Sequence, residues 1–250
     1  MKRYFQIMLA CIAMLFTGHA GLAAEDAAPN LLVFSHSTGW RHSSIPPGVA
    51  ALQQLGADRG YVVTASEDPD IFSPGGLDRF DAIVFLSTTT KHDDASSEWF
   101  TGSRREALQA FVQRGGGVVG IHAAADSHYS WPWFGELFGA RFTSHPPGTP
   151  TGSITVVDPD HPAMAGLAPT LERADEWYYF QDYDPTMHLL ITLDPASIGE
   201  QDVNPNPIAW VHEFEGARVF YTAMGHTDES YADPWFLQHV GQGLDWVLDR

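Results

Sequence analysis

The chain has 250 residues, of which 31 are acidic and 13 basic, for a formal net charge of −18. So acidic a surface argues against nucleic acid and anionic membranes as partners and suits a protein that meets small molecules or cations. Cys11 is the only cysteine, and it lies in the N-terminal leader, so the mature chain has neither a disulfide framework nor a thiol nucleophile.

Lys2 and Arg3 precede an apolar run over residues 4–16, and small residues including Gly21 and Ala23 come after it. This pattern is that of a secretory signal peptide cut after Ala23 or Ala24. The run is too short for a membrane span. The expected product is a periplasmic or secreted protein with no membrane attachment, folded as a single domain over residues 24–250.

The rest of the chain alternates strand and helix signals. Residues 30–35 (NLLVFS) form a near-continuous apolar run, as a strand buried on both faces requires. Residues 46–60 carry prolines at the start and a glycine at the end, the marks of a helix. Strands are expected at YVVTAS and at residues 80–87. A second helix is expected over residues 103–117, with Ser103 as its cap and glycines as its stop. Residues 118–122 (VVGIH) give the next strand. The order predicts an α/β fold, a doubly wound and mostly parallel sheet flanked by helices. SITVVD, LLITLD, IAWVHEF and RVFYTAMGH read as later strands, some extending the sheet and others forming a side excursion. An amphipathic helix closes the chain over residues 233–249.

In such sheets ligands bind beyond the carboxyl ends of the strands. Those positions hold His36, Trp40 and Arg41 after the first strand, Thr88 after the third, His122 after the fourth and His226 after the last. His36, His122 and His226 are therefore expected in one cleft. His122 occupies the bend where a nucleophile elbow would carry Ser or Cys, so serine and thiol chemistry lack their nucleophile there. The small residues around that bend predict a partly accessible imidazole, able to exchange a proton or bind a metal in its neutral form. Asp126, His128, His145, Asp175 and Glu176 add the carboxylates and imidazoles of acid–base or divalent-metal chemistry. Trp40, Trp131, Trp133, Trp177 and Tyr178 could stack on a sugar ring, although aromatics beside apolar residues more often belong to a core. No GxGxxG follows the first strand and no P-loop is present, which leaves nucleotide cofactors unsupported.

The segments FSHSTGWRHSS, GGGVVGIHAAADSHYSWPWFGELFGARFTSHP, DHPAMAGL, DEWYYF and GARVFYTAMGHTDESYADPWFLQHVGQGLDWVL together resemble the ThuA-like (trehalose utilisation) family, in order and over nearly the whole chain. The resemblance implies a fold similar to flavodoxin-like class I glutamine amidotransferases and a setting in carbohydrate metabolism, around trehalose, related disaccharides or their 3-keto derivatives. Position by position it points to His36, His122, His145, Glu176 and His226, with His122 in place of the amidotransferase cysteine. Glutamine amidotransferase activity needs that thiolate and is excluded.

Three functions remain to be separated. In the first, His122, Glu176 and His226 catalyse isomerisation, lysis or hydrolysis of a disaccharide or keto-sugar. Substrate would be held by His36, Trp40, Arg41, Thr88, Asp126, His145 and Trp177. A divalent metal such as zinc would be the one cofactor, with His122, His145 and His226 as candidate ligands. The second is a non-catalytic carbohydrate-binding protein. The third is metal storage or sensing by the acidic, histidine-bearing surface.

Overall fold

A computed structural model describes residues 27–201 and 204–249. The expected leader therefore lies outside the described residues.

β1 (Asn30–Phe34), β3 (Ala82–Leu86) and β4 (Gly117–Ile121) are buried almost throughout. They pair in parallel, with β2 (Val62–Ser66) on the far side of β1. β11 (Ala217–Thr222) joins β4, also in parallel. The nine-stranded order is β2-β1-β3-β4-β11-β10-β9-β6-β7. Beyond β11 the sheet turns antiparallel through β10 (Asn206–Phe214), β9 (His188–Leu193), β6 (Thr151–Val156) and β7 (Thr170–Ala174). The late strands thus extend one mixed sheet. The side excursion is only the pair β5 (Arg141–Ser144) and β8 (Tyr179–Gln181).

Side chains alternate across a strand, so the neighbours Phe220 and Tyr221 of β11 face opposite layers. Tyr221 lies against Phe138 of α3 (Pro132–Phe138), with ring centroids 5.9 Å apart. Phe220 meets His239 of α4 (Pro234–Val247) at 5.0 Å. On the first of these faces Phe85, Phe100, Phe134 and Phe138 form an edge-to-face aromatic cluster. Such geometry adds to what burial alone contributes.

α1 (Ile45–Arg59) begins one residue earlier than expected and has prolines in its first turn. It is tied to α4 by Asp245, which receives hydrogen bonds from Arg59 and Tyr61. α2 (Ser103–Gln113) is capped by Gly102, so Ser103 is its first residue rather than its cap.

Counting strand reversals from β11 to β7 returns β7 to the direction of β11. The residues after Ala174 therefore emerge at the same edge as those after Thr222. This brings Asp175 and Glu176, far along the sheet, to the rim that holds His122 and His226.

Candidate functional site

The chain leaves β4 at Ile121 and bends at once. His122 has φ 52°, in the left-handed region, and opens a 3₁₀ turn of small residues ending at Ala125. Such a conformation is uncommon outside glycine and costs roughly 1–3 kcal/mol unless its surroundings enforce it. They do so here. The Tyr221 hydroxyl donates to the His122 carbonyl at 2.5 Å, and Ala123 to Ala125 are buried beneath the turn. His122 is fully buried, contrary to the expected partial exposure. Its Nδ1 lies 2.8 Å from the Ala223 carbonyl oxygen. A carbonyl can only accept, so Nδ1 carries a proton and the other ring nitrogen, Nε2, points towards the cluster.

Around that nitrogen stand three other groups. His226 Nδ1 is 3.1 Å from it and Glu176 Oε2 3.4 Å. His226 Nδ1 and Glu176 Oε2 are 3.2 Å apart. The buried ring of His42 lies edge-on to His122 and His226, at centroid distances of 4.7 and 5.2 Å. One ligand atom from each of His42, His122, Glu176 and His226 fits within 4.8 Å of every other.

The electrostatics arise from this crowding. Burial first, then the charges of His122 and His226, push the His42 imidazole down to about 3, so its ring is neutral at ordinary pH. Its Nδ1 is buried with no hydrogen-bond partner, an arrangement that is costly unless something else satisfies it. Burial pushes the Glu176 carboxyl up, but the hydrogen bonds and charges of His122 and His226 outweigh it and hold the carboxyl well below its usual range. The bond to Glu176 raises His226 in turn. Three imidazoles and one carboxylate, two of the rings with their lone pairs uncommitted or forced inward, suit a divalent ion of the zinc type.

Asp175 fixes the frame. Its buried carboxylate accepts from the backbone N–H groups of Gly225, His226 and Glu176, each at 3.0 Å, and from Arg173 at 3.2 Å. Gly225 has φ 109°, which only glycine adopts without strain, and a Cβ there would lie 3.0 Å from Ile121, Tyr231 and Phe236. Asp175 thus locks the His226 turn and the Glu176 backbone to one carboxylate.

His145 stands at the rim, its Nδ1 3.2 Å from Glu176 Oε1. It lies outside the four-residue cluster and neighbours the carboxylate instead. Tyr178 packs on His122 at 4.4 Å and on Phe142 at 4.3 Å. With Trp40, Asp126 and His145 these rings wall a hollow of about 410 Å³ that opens onto the cluster. Burial raises the Asp126 carboxyl to about 6, against the pull of a hydrogen bond from the Tyr129 hydroxyl.

Other expected site residues lie elsewhere. His36 Nδ1 donates to the Glu67 carbonyl at 2.8 Å, and its ring abuts Trp99. It does not share the cleft with His122 and His226. Arg41 forms a bidentate pair with Glu67 and faces away. Thr88 is fully buried. Trp177 is core, its indole N–H donating to the Pro150 carbonyl at 2.8 Å, while the next residue, Tyr178, lines the cleft. His42 was missed by strand-end reasoning because it lies eight residues past Phe34, where the loop doubles back to start α1. The available signal was its place two residues before the Ser44 position that opens a helix at this rim.

Residues 30–247 match the sequence family described as trehalose utilisation, ThuA. The chain belongs to the ThuA family. Among solved structures, a ThuA-like protein from Bacteroides uniformis is 24% identical, with a TM-score of 0.73 over 90% of this chain and 94% of that one. A ThuA-like protein from Parabacteroides merdae is 17% identical, with a TM-score of 0.69 over 88% and 90%. A cytoplasmic protein from Salmonella typhimurium is 12% identical, with a TM-score of 0.59 over 87% and 98%. At these identities the likeness shows a shared fold. No curated relative matches this ThuA chain in sequence.

Proposed function

We propose that this ThuA protein is an exported carbohydrate-processing enzyme. Its centre would be a divalent metal held by His42, His122, Glu176 and His226, and its substrate a disaccharide or keto-sugar of the trehalose type. The observation that carries the proposal is the four-group cluster itself, with His122 Nε2 turned inward by the Ala223 bond and His42 Nδ1 buried without a partner. The residue pattern of the leader supports export, and the family supports the carbohydrate class.

A metal bound there would act as a Lewis acid on a carbonyl or hydroxyl oxygen of the sugar. The chain's own groups supply the rest. His145, accessible at the rim beside Glu176, is placed to take a proton from carbon next to a ketone. Asp126, across the hollow, is placed to give one to a departing oxygen. On a 3-keto-glycoside these two transfers amount to loss of the C2 proton and cleavage of the C1–oxygen bond, with that oxygen leaving as a hydroxyl. No protein nucleophile is required, which accounts for a histidine at the elbow. The exposed indole of Trp40 would also serve a non-catalytic sugar-binding protein, but binding alone has no need of a buried histidine–carboxylate cluster.

The test is product formation from 3-keto-trehalose by the zinc-supplemented protein, followed by chromatography. Turnover that disappears with chelator and returns with zinc supports the proposal. Binding without turnover would favour the non-catalytic alternative, and turnover unaffected by chelation would remove the metal from it.

A further inference from the structure

Tyr178 lines the hollow over the cluster, but its ring is closed to a ligand. The ring packs against His122, Phe142 and His145, at centroid distances of 4.4, 4.3 and 5.8 Å, and the residue is only 2% exposed. No sugar face can reach it, so the stacking role expected from the sequence is ruled out. What the side chain has left is its hydroxyl. That oxygen has no hydrogen-bond partner among the described residues, and unlike Nδ1 of His42 it is not sealed off from solvent. It therefore opens into the hollow.

The fold holds this hydroxyl still. Tyr178 follows the corner at Asp175 and Glu176, where the Asp175 carboxylate binds the Glu176 N–H at 3.0 Å. The preceding residue, Trp177, donates its indole N–H to the Pro150 carbonyl at 2.8 Å. The Tyr178 carbonyl accepts from the Asn206 side chain, also at 2.8 Å. Backbone and ring are thus both anchored, and close packing keeps the ring in place. A phenol keeps its proton at ordinary pH, so the group presented to the hollow is a donor. A donor fixed in advance, and not used by the fold, can serve a charge that develops on a bound molecule without any cost of reorganisation.

We infer that Tyr178 is a further catalytic residue, whose hydroxyl donates a hydrogen bond to the ketone oxygen as that oxygen becomes an enolate. This rests on the elimination proposed above and adds the group that steadies its intermediate charge. His145 takes the proton from C2. The C2–H electron pair becomes the C2–C3 double bond, and the carbonyl pair moves onto the oxygen of C3. The Tyr178 ring neighbours that of His145, so donor and base stand side by side, as loss of a proton next to a carbonyl requires. The pair then returns from the oxygen to restore the ketone, the C1–C2 double bond forms, and the C1–oxygen bond breaks. The departing oxygen takes its proton from Asp126. Tyr178 gives up no proton and ends as it began. Its bond is strongest to the enolate, so it acts on kcat and not on KM.

The experiment compares wild type and Tyr178→Phe, both supplemented with zinc, in steady-state kinetics on 3-keto-trehalose. Zinc content and thermal melting are measured on the same preparations. The variant keeps the ring and removes only the hydroxyl. Its kcat is expected to fall at least about 100-fold, the scale of one lost oxyanion donor, while KM changes by less than about threefold. Zinc content and Tm should match wild type. A kcat within about threefold of wild type would overturn the inference and leave the carbohydrate function standing. Lost zinc, or a clearly lowered Tm, would overturn it too, by showing that the hydroxyl serves the cluster or the fold. If wild type itself turns over no keto-sugar, the function proposed above fails and the inference fails with it.

Discussion

His122 and His226 are separated by 104 positions in the chain, yet His122 Nε2 and His226 Nδ1 lie 3.1 Å apart. They meet because β4 and β11 are parallel neighbours, with Ile121 opposite Thr222, so both chains leave the sheet at the same height. The pairing register sets the distance between the two rings.

Replacing His122 by Gln keeps a donor for the Ala223 carbonyl but removes the imidazole lone pair. His122→Gln should shift Tm by only a few degrees, the effect of about 1 kcal/mol or less in a domain of this size. Turnover of the keto-sugar should fall by at least about 100-fold, the scale of a lost acid–base or ligand group. Thermal melts and steady-state rates on the same preparations check this, and retained turnover would remove His122 from the chemistry.

Asp175 touches no cleft surface, yet it anchors three backbone N–H groups around the cluster. Asp175→Asn should weaken zinc binding by roughly 10–100-fold, the usual cost of losing a group that orients ligands. Asp175→Ala leaves Arg173 with one buried partner fewer and should cost on the order of 3–5 kcal/mol. Chemical denaturation and zinc titration read the two effects separately. Zinc affinity unchanged in Asp175→Asn would show that the frame holds without this carboxylate.

At Gly225 an added methyl meets both a backbone conformation closed to L-residues and atoms of Ile121, Tyr231 and Phe236 at 3.0 Å. Gly225→Ala should destabilise the fold by more than about 1 kcal/mol and displace His226. A urea midpoint equal to that of wild type would contradict the strain argument.

Glu98 gives a pH dependence away from the cluster. Its side chain is almost wholly buried. Burial pushes the carboxyl up. The neighbouring His128 ring at 3.9 Å and the Ser130 N–H and hydroxyl at 2.6 and 2.5 Å outweigh that and hold it at about 2, against an ordinary 4.5. Because the folded value is the lower one, the stabilisation is present above about 4.5 and is lost as pH falls towards about 2. Glu98→Gln should therefore be less stable than wild type at neutral pH and lose less stability over that acid range. Parallel acid limbs in urea melts of the two proteins would refute this.

The sheet was legible because β1, β3 and β4 are runs of apolar residues that can exist only between two layers. The switch-point rim followed from that order, and with it His122 and His226. Glu176 was legible through the family motif. His36 was misplaced because a strand end specifies an edge and not a direction: its ring turns to the Glu67 carbonyl. His42 depends on the loop reversing before α1, which its distance from the strand end does not reveal and only the start of α1 at Ser44 signals. Trp177 and Tyr178 are adjacent aromatics with opposite fates, decided by which of them the Pro150 carbonyl accepts from. The short α3, seven residues long, carried too little periodicity to be recognised.

Whether His42, His122, Glu176 and His226 form one metal centre is tested most directly by equilibrium dialysis against zinc followed by elemental analysis. One zinc per chain is expected in wild type, with affinity reduced at least about 100-fold in His42→Ala, beyond the loss expected for a group that only orients a ligand. Wild type that retains no zinc, or His42→Ala that binds it as tightly as wild type, would contradict the assignment of a metal centre to these four residues.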